Sequence, residues 1–584
     1  MKTFITTLII FLFTQILTAQ DKYLINTNRI WLPINNFGVL ADVSIFNKSG
    51  GLLDDKQFLY SAGFFLSGKN SDTIWTNGVA SASSIADYQP GNVDSNQYDP
   101  RNAIYEITPL PAFNSTWQKY RFAVQIGAKF YDGNADGIYN PVDLNGNGQW
   151  DPNEDRPDII GDFTAWCAYN DGVPGSTRRY KNNPLGIEIH QTLFSYNNYN
   201  TADARSATFF VRYKIFNTGK VSQTLDSVYF GAWSDTDIGS IGDAYMDDLA
   251  GCDTVNNAGY IYNDGDDADW GVNPPAHFIK ILQGPYAYIP GVTFIDHNLN
   301  GDFDPGVDTP LDTAKNRRGP VLGVDLFPGA KNLGITSYMF YISSSIVQGD
   351  PANSREARNY LLGRAANGQL LNPCGWGVVL GGVNCNLVNP IFAYSGDPVT
   401  QVGWLSNFPS DYRQIVSTGP FKLKVGQPID IIVAHIAARG VSSLNSVYWG
   451  KAYNNTLQQF YNSNFVSMPL SVEEEENLVL SDYKLYQNYP NPFSSGGGSA
   501  YGGNSVTTIK FSIPSSTEYQ SVQQNVNLKI YDILGNEVAV LVNEPKSPGT
   551  YEIKWDASGQ ASGIYFYQLR AGKFIDTKKM ILLR

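Results

Sequence analysis

The chain has 584 residues, of which 42% are hydrophobic and 16% charged, and its formal net charge is −13 at pH 7. This apolar content supports large folded cores and excludes global disorder. The acidic balance excludes nucleic acid as a partner, because phosphates require a basic protein face. Residues 483–584 carry +3 and the first twenty residues +1, so residues 21–482 carry −17.

The first twenty residues, MKTFITTLIIFLFTQILTAQ, combine one lysine with an apolar run and a small residue at Ala19. This pattern predicts a secretory signal peptide that is cleaved after Ala19 or Gln20, and an uncleaved anchor is the alternative. No later segment approaches the roughly 18 continuous apolar residues of a membrane helix. We therefore expect an exported, soluble mature chain with no transmembrane segment.

An acidic stretch without positive charge, DGNADGIYNPVDLNGNGQWDPNED, occupies residues 132–155. A calcium loop places oxygen ligands at about positions 1, 3, 5, 7, 9 and 12, with glycine at position 6. Frames that begin at Asp132 and at Asp143 both fit this spacing, and they share Asp143. A third frame, DHNLNGDFDPGVDTP, begins at Asp296 and repeats the pattern D-x-N-x-N-G-x-[WF]-D-P-x-x-D-x-P of the second.

These three frames resemble the free-standing calcium loops of dockerin and thrombospondin-type repeats, without the flanking helices of an EF-hand pair. The resemblance implies bound Ca²⁺, and hard oxygen ligands without His or Cys favour the same ion. Solvated turns without an ion are the alternative. The candidate ligands are Asp132, Asn134, Asp136, Asp143, Asn145, Asn147, Gln149 through its carbonyl, Asp151, Glu154, Asp155, Asp296, Asn298, Asn300, Asp302, Asp304 and Asp308.

The four cysteines form an even set, which in an exported protein indicates disulfides. Cys374 and Cys385 flank a glycine-rich loop, CGWGVVLGGVNC, and are the preferred pair. Cys167 and Cys252 are then paired by elimination. Their spacing matches no zinc or redox motif, so a catalytic or metal-binding role is disfavoured.

Strand patterns recur along the body, separated by turns rich in Asn, Gly, Asp and Pro. In TFFVRYKIFN, residues 208–217, the alternation of apolar residues with Arg212 and Lys214 predicts a half-buried strand. IDIIVAHIAA, residues 429–438, predicts a strand buried on both faces, with His435 in the core. The best helical pattern opens at Ser443. The fold class is therefore mainly β, with a large β-sandwich-type body and long calcium-binding loops.

A second acidic patch follows the predicted strand LDSVYFGAW. Carboxylates at a strand end can serve as the acid and base of a glycosidase. They can equally bind another cation or form a polar surface loop, and the pattern leaves these three readings open. The patch contains Asp235, Asp237, Asp243, Asp247, Asp248 and Asp253, and NDGDDAD follows at 263–269.

A change of composition divides the chain near its C-terminus. The charge run VEEEENLVLSD lies within an acidic linker that we place at residues 471–482. The body then spans residues 21–470, and a C-terminal domain spans residues 483–584. Inside that domain, SSGGGSAYGGNS at 494–505 reads as a flexible low-complexity loop.

The C-terminal domain carries six short motifs in a fixed order, ending with the last residue of the sequence. Its motifs resemble the type A C-terminal sorting domain of the type IX secretion system of Bacteroidetes and related bacteria. The resemblance implies a small Ig-like β-sandwich, recognition at the outer membrane after export, and common removal by a surface sortase. The motifs are LYQNYPNPF (485–493), TTIKFSIP (507–514), VNLKIYDILGNEV (526–538), PGTYEIKWDA (548–557), ASGIYFYQLRAG (561–572) and TKKMILLR (577–584).

Catalytic motifs are not found: G-x-S-x-G, H-E-x-x-H and phosphate-binding glycine loops do not occur. The sequence therefore favours an extracellular or cell-surface, calcium-stabilised protein whose body binds, adheres or builds structure without catalysis. The expected partners are the type IX machinery and sortase, through residues 483–584, and a surface polysaccharide or protein. The alternative is a secreted polysaccharide hydrolase with acidic catalytic residues near 235–253.

Overall fold

The structure is a computed structural model that divides the chain into two compact units, Met1–Pro469 and Leu470–Arg584. The predicted signal peptide (1–20) and acidic linker (471–482) lie outside the described residues. The described residues are 21–79, 87–468, 483–486, 488, 491, 493–494, 506–513, 524–546, 549–572 and 574–583.

The first unit is built mainly from strands, as the following bounds show. Its first half contains β1 (Lys22–Ile25), β2 (Ile30–Asn35), β3 (Gly51–Leu53), β4 (Lys56–Leu59), β5 (Ser61–Asn70), β6 (Thr73–Val79), β7 (Gln89–Pro90), β8 (Tyr105–Ile107), β9 (Phe130–Tyr131), β10 (Arg156–Pro157), β11 (Phe163–Asn170), β12 (Ile187–Ser195), β13 (Thr208–Asn217) and β14 (Thr224–Asp235). Its second half contains β15 (Asp248–Asp253), β16 (Ala258–Asn263), β17 (Ala276–Gln283), β18 (Tyr286–Tyr288), β19 (Phe294–Ile295), β20 (Thr309–Pro310), β21 (Thr313–Arg317), β22 (Val324–Pro328), β23 (Ala330–Asn332), β24 (Ser337–Ile342), β25 (Val378–Leu380), β26 (Gly403–Leu405), β27 (Tyr412–Lys424) and β28 (Ile429–Ala438).

The described residues form few helices, and short polar side chains cap three of the four α-helices named below. The Asn114 side chain accepts the backbone N–H groups of Thr116 and Trp117, which satisfies donors that the first helical turn leaves free. Ser442 does the same for Asn445 at the last helix. The helices are α1 (Ser115–Gln125), α2 (Gly319–Leu322), α3 (Ser354–Leu361) and α4 (Ser443–Asn462). Among the described helices, none is long and apolar enough to cross a membrane.

Two antiparallel sheets enclose the main core of the first unit. The larger has the order β15-β16-β17-β28-β13-β12-β11-β7, with β8 also paired to β11, and the smaller has the order β24-β27-β14-β5-β6. Aromatic rings join them across the interior: Phe64 of β5 lies 5.0 Å from Tyr213 of β13, centroid to centroid, and Phe230 of β14 lies 5.4 Å from Tyr213. The predicted mainly-β fold is confirmed, and its body is a sandwich of these two sheets.

Strand β13 coincides with the predicted segment, and its two-residue alternation places Phe209 and Tyr213 in the core between the sheets. The opposite face is not solvated as the pattern indicated. Arg212 is buried there, and it donates to Asp430 at 2.8–3.0 Å and to Asp158 at 3.1 Å. A buried guanidinium is tolerated because two carboxylates compensate its charge.

Helix α4 explains why that face is buried, since it packs on the outer side of the larger sheet. Val447, Leu457 and Phe460 of the helix share a core with residues of β13, β17 and β28. A Cβ atom at Gly450 would approach the Phe278 ring to 2.0 Å, so only glycine permits this close contact. The helix predicted to open at Ser443 is present, and Tyr448 on it is exposed.

The second unit consists of two sheets around its own core. Strands Lys484–Leu485, Val506–Ile513 and Gly549–Asp556 form one sheet, and the other has five strands. Leu528 and Ile530 of the motif VNLKIYDILGNEV are buried, whereas Ile533 lies exposed in a turn. The strands are β29 (Lys484–Leu485), β30 (Phe493–Ser494), β31 (Val506–Ile513), β32 (Gln524–Tyr531), β33 (Glu537–Lys546), β34 (Gly549–Asp556), β35 (Gly563–Ala571) and β36 (Phe574–Leu583).

Of the two predicted cysteine pairs, one forms a disulfide and the other does not. Cys374 and Cys385 form a disulfide that closes the glycine-rich loop. The pairing of Cys167 with Cys252 is wrong, because both are free and buried. Cys167 lies on β11 and Cys252 on β15, with five strands of the same sheet between them. At about 4.8 Å per strand they are far beyond the roughly 7 Å limit between disulfide-bonded Cα atoms.

Candidate metal centres

The three acidic loops share one backbone conformation. The glycines at position 6, Gly137, Gly148 and Gly301, have φ angles of 76°, 74° and 78°. Position 4 is also left-handed in each loop, with φ of 59° at Ala135, 73° at Gly146 and 58° at Leu299. Glycine at position 6 therefore serves the sharp turn for which the motif requires it.

The first carboxylate of each loop organises the turn by accepting backbone N–H groups. Asp132 accepts from Gly137 at 2.8 Å, Asp143 from Gly148 at 2.7 Å and Asp296 from Gly301 at 2.7 Å. The hydrogen bond from the Gly148 backbone N–H lowers the pKa of Asp143 below its usual range. These bonds hold each loop in the ring-like form of a calcium loop before any ion is considered.

Side chains from positions 3, 5 and 9 converge in two of the loops. Asn145 and Asn147 both donate to Asp151 Oδ2, at 2.7 and 3.0 Å. Asn298 and Asn300 make the same contacts with Asp304 Oδ2, at 2.8 and 2.7 Å. In the Asp132 loop the Asn134 amide donates to Asp136 at 2.9 Å instead.

A buried carboxylate closes each loop by accepting the N–H groups of positions 2 and 9. Glu154 accepts from Leu144 and Asp151 at 2.6 and 2.8 Å. Asp308 accepts from His297 and Asp304 at 2.9 and 2.7 Å.

Asp155 closes the Asp132 loop in the same way, accepting from Gly133 at 3.1 Å and Asn140 at 2.7 Å. The closing side chains are 1% exposed at Glu154, 2% at Asp155 and 6% at Asp308, so each is part of the fold.

These contacts correct two details of the sequence frames. Asp143 organises its own loop, since its side chain accepts from Gly146, Asn147 and Gly148, whereas Asp155 closes the Asp132 loop. Asp302 does not face its loop, because its carboxylate pairs with Lys422 and Lys424 at 2.7 and 2.9 Å.

An aromatic residue at position 8 anchors each loop to the body. Tyr139 donates its hydroxyl to the Trp117 carbonyl of α1 at 2.9 Å. Trp150 packs against Tyr131, and Phe303 stacks on Tyr288 with ring centroids 5.5 Å apart. The repeated sequence pattern contains an aromatic residue at the position of Trp150 and Phe303. Aligning the Asp132 frame with this pattern would also identify Tyr139.

The fold separates the aspartates of the acidic patch that follows β14. Asp235 ends β14, and the antiparallel pairing of β14 with β27 places it opposite Arg413. Asp237 and Asp411 lie beside it, so that one carboxylate oxygen from each of the three lies within 4.8 Å of the others. Asp243 is exposed on the surface and takes no part. Asp411 is distant in sequence, and no local pattern could have identified it.

Burial controls the electrostatics of this cluster. Burial raises the pKa of Asp237 to about 7, and repulsion from Asp411 acts in the same direction. Burial also raises the pKa of Asp235 well above its usual range, although the Arg413 guanidinium opposes the shift. The three carboxylates line a cavity of about 390 Å³ with Tyr60 and Tyr245.

A larger cavity of about 980 Å³ adjoins the Asp296 loop. Tyr286 and Phe327 stack in its wall with ring centroids 4.3 Å apart. Lys422 and Lys424 also line it and pair with Asp302 of the same wall, which gives the cavity both apolar and charged surfaces. Such a combination is typical of ligand pockets.

Comparisons with known proteins identify the second unit. No curated protein matches the chain. One solved structure with which it aligns is PorZ, a bacterial surface component of the type-IX secretion system of Porphyromonas gingivalis, at 11% identity. The alignment covers 95% of this chain and 64% of PorZ, and its TM-score of 0.11 is too low to indicate a shared fold. Residues 488–583 match the family described as "Secretion system C-terminal sorting domain". The C-terminal segment is therefore a type IX secretion sorting domain, which interacts with that machinery and directs the protein to the extracellular space or the cell surface.

Proposed function

We propose that the body, residues 21–470, is a calcium-stabilised binding or structural module without catalytic activity. The observation that carries this proposal is the common construction of the loops that begin at Asp132, Asp143 and Asp296. Each has a first carboxylate that accepts backbone N–H groups and a buried carboxylate that closes the ring.

The donor set supports calcium. In the Asp143 loop the ion would be held by Asp143, Asn145, Asn147, Asp151 and Glu154, with the Gln149 carbonyl. All of these donors are hard oxygens, which Ca²⁺ prefers. His297 contributes its backbone N–H to loop closure, and its ring nitrogen contacts Thr309 at 3.0 Å.

Calcium would act on stability through charge. Residues 21–482 carry −17, and three bound ions would reduce this to −11. Extracellular calcium modules bind with dissociation constants of about 10⁻⁴–10⁻³ M. At a calcium concentration roughly tenfold above such a constant, each site contributes about 1.4 kcal/mol to the free energy of unfolding.

We place the ligand of the body at the 980 Å³ cavity, because it combines stacked aromatic rings with lysines. A surface polysaccharide or a protein segment is the class of ligand that such a pocket accommodates. Phe303 and Asp308 of the Asp296 loop line this cavity. Calcium in that loop would therefore stiffen one wall of the binding site.

Thermal unfolding with and without a chelator tests the calcium proposal. We expect the melting temperature of the calcium-loaded protein to fall when EGTA is added. Asp143→Asn and Asp296→Asn should each reduce this fall, because each removes one carboxylate from a loop. Asp72→Asn is the control, since Asp72 lies exposed in a turn away from the loops. An unchanged midpoint after chelation would contradict the proposal.

The sorting domain suggests a further step after export. We propose that a surface sortase removes residues 483–584 and that the body is released or attached to anionic lipopolysaccharide. Mass spectrometry of the surface protein would then find a chain that ends before Tyr483. A surface form that retains the intact tail would contradict cleavage.

A polysaccharide hydrolase is the alternative, and the buried Asp235 and half-buried Asp237 in their cavity are the observation that favours it. Glycosidases hold their two carboxyl groups about 5–9.5 Å apart. Here the oxygens are closer, and one guanidinium is shared by Asp235 and Asp411. Release of reducing ends from polysaccharide that Asp237→Asn abolishes would establish the alternative.

A further inference from the structure

The acidic cavity beside β14 has the geometry of a cation site distinct from the three loops. One oxygen each from Asp235, Asp237 and Asp411 lies within 4.8 Å of the other two. Calcium binds oxygen at about 2.4 Å, so oxygens that contact one ion lie at most about 4.8 Å apart. Within the described part of the chain, this is the one group of three or more His, Cys, Asp or Glu residues that meets so closely.

Asp235 supplies a second, independent observation that points to a ligand. Its side chain is 4% exposed, and Arg413 holds its Oδ2 atom at 3.1 Å. Its Oδ1 atom is buried and has no hydrogen-bond partner among the residues that the structure describes, although Asp235 lines the cavity. A buried carboxylate oxygen without a partner costs free energy, which a cation at this place would offset.

The charge of the cavity suits a divalent ion. Its lining contains four aspartates, Asp235, Asp237, Asp350 and Asp411, and two arginines, Arg179 and Arg413. The lining therefore has a formal net charge of −2. Arg413 contacts Asp411 at 2.8 Å as well as Asp235, so it positions two of the carboxylates side by side.

We propose that Asp235, Asp237 and Asp411 together bind one divalent cation with oxygen ligands, and that Ca²⁺ fits this site best. Magnesium demands near-ideal octahedral geometry and keeps several water ligands, so a site made of three protein carboxylates suits it less than it suits calcium. The cavity of about 390 Å³ leaves space for water ligands on the open side. This site is independent of the loop motif, so it can exist whether or not the loops bind calcium.

Asp237→Asn in the full-length secreted protein provides the test. In EGTA we expect the variant to melt about 1–3 °C above the wild type, because one of three repelling carboxylates is removed. In millimolar CaCl₂ we expect this advantage to disappear or reverse, because the wild type gains an ion that the variant holds weakly. A cation at this cluster is indicated when the variant melts above the wild type in EGTA and loses or reverses this advantage in CaCl₂.

Asp243→Asn is the matched control, since Asp243 is an exposed carboxylate from the same segment and lies outside the cluster. Its melting temperature should differ from the wild type by the same amount in both buffers. The proposal would be overturned if the melting temperatures of Asp237→Asn and the wild type differed by the same amount in both buffers. If that variant does not fold, a crystal of the wild type grown with CaCl₂ decides: anomalous density between the three carboxylates supports the site, and its absence overturns it.

Discussion

Cys167 and Cys252 are buried thiols in a protein that is exported from the cell. Burial raises the pKa of Cys167 to about 12 and the pKa of Cys252 well above its usual value. The reactive form of cysteine is the thiolate, so both side chains are protected from oxidants by protonation as well as by burial. They act as small apolar residues of the core.

Thiol titration distinguishes this arrangement from two disulfides. We expect the native protein not to react with DTNB and the protein in guanidinium chloride to expose two thiols per chain, since Cys374 and Cys385 stay bonded. Reduction before denaturation should raise the count to four. A denatured, unreduced chain without thiols would show that Cys167 and Cys252 are bonded after all.

His277 and His435 form a buried neutral pair. His277 Nε2 lies 3.2 Å from His435 Nδ1, and its Nδ1 atom lies 2.8 Å from the Thr236 hydroxyl. Burial lowers the pKa of His435 to about 3 and the pKa of His277 well below its usual value. Unfolding returns both to about 6.5, so below that pH the unfolded chain binds more protons than the native one.

The free energy of unfolding should therefore fall as the pH decreases from about 6.5 towards the native pKa values. Each histidine contributes a slope of up to about 1.4 kcal/mol per pH unit. His435→Phe should reduce the pH dependence between pH 6 and 4, measured by denaturant unfolding. Ile436→Val, an apolar change at the next residue of β28, should retain the wild-type slope. Equal slopes for His435→Phe and the wild type would contradict the prediction.

At the scale of elements, the Asp132 and Asp143 loops are closed by two adjacent residues. The short pairing of β9 with β10 sets Tyr131 opposite Arg156, and therefore brings Asp132 to the level of Asp155. Glu154, one residue earlier, closes the other loop. The two loops and the β9–β10 pair thus form one connected unit that packs on α1 through Tyr139.

Asp155→Ala should release the Asp132 loop selectively. The substitution leaves the N–H groups of Gly133 and Asn140 without their acceptor, which costs about 1–3 kcal/mol of the free energy of unfolding. Hydrogen exchange should show faster exchange at residues 133–140 than in the wild type, with residues 296–308 unchanged. Asp72→Ala, at an exposed turn, should change the free energy by less than about 0.5 kcal/mol. Unaltered exchange at residues 133–140 would contradict the role of Asp155.

Features that depend on neighbouring residues could be predicted from the sequence, whereas features that depend on residues distant in the chain could not. Strands β13 and β28 could be predicted to the residue because alternation and apolar runs are local patterns. The loop motif, too, is local. The partner of Asp235 is Arg413, which is opposite it only because β14 and β27 pair in one particular register. Asp411 joins the cluster through the same pairing, and the buried Arg212 pairs with Asp430, which lies 218 residues further along the chain.

At the scale of the whole molecule, the chain combines an acidic body with a basic sorting domain. Residues 21–482, the body with its acidic linker, carry −17 and residues 483–584 carry +3. Each unit has a core of its own, with Phe511, Trp555 and Tyr567 among the residues of the second. The sorting signal therefore lies in a unit that has a hydrophobic core of its own.

Deletion of residues 483–584 should leave the body folded but mislocalised in the cell. Without the sorting domain the type IX machinery has nothing to recognise, so we expect the truncated protein to accumulate in the periplasm of a bacterium that has this system. Cell fractionation and surface proteolysis measure the distribution, and calcium-dependent melting of the periplasmic product checks its fold. As a control, residues 483–584 fused to a periplasmic reporter should carry it to the surface. Normal surface display of the truncated chain, or a reporter that stays in the periplasm, would show that the signal for export lies elsewhere in the sequence.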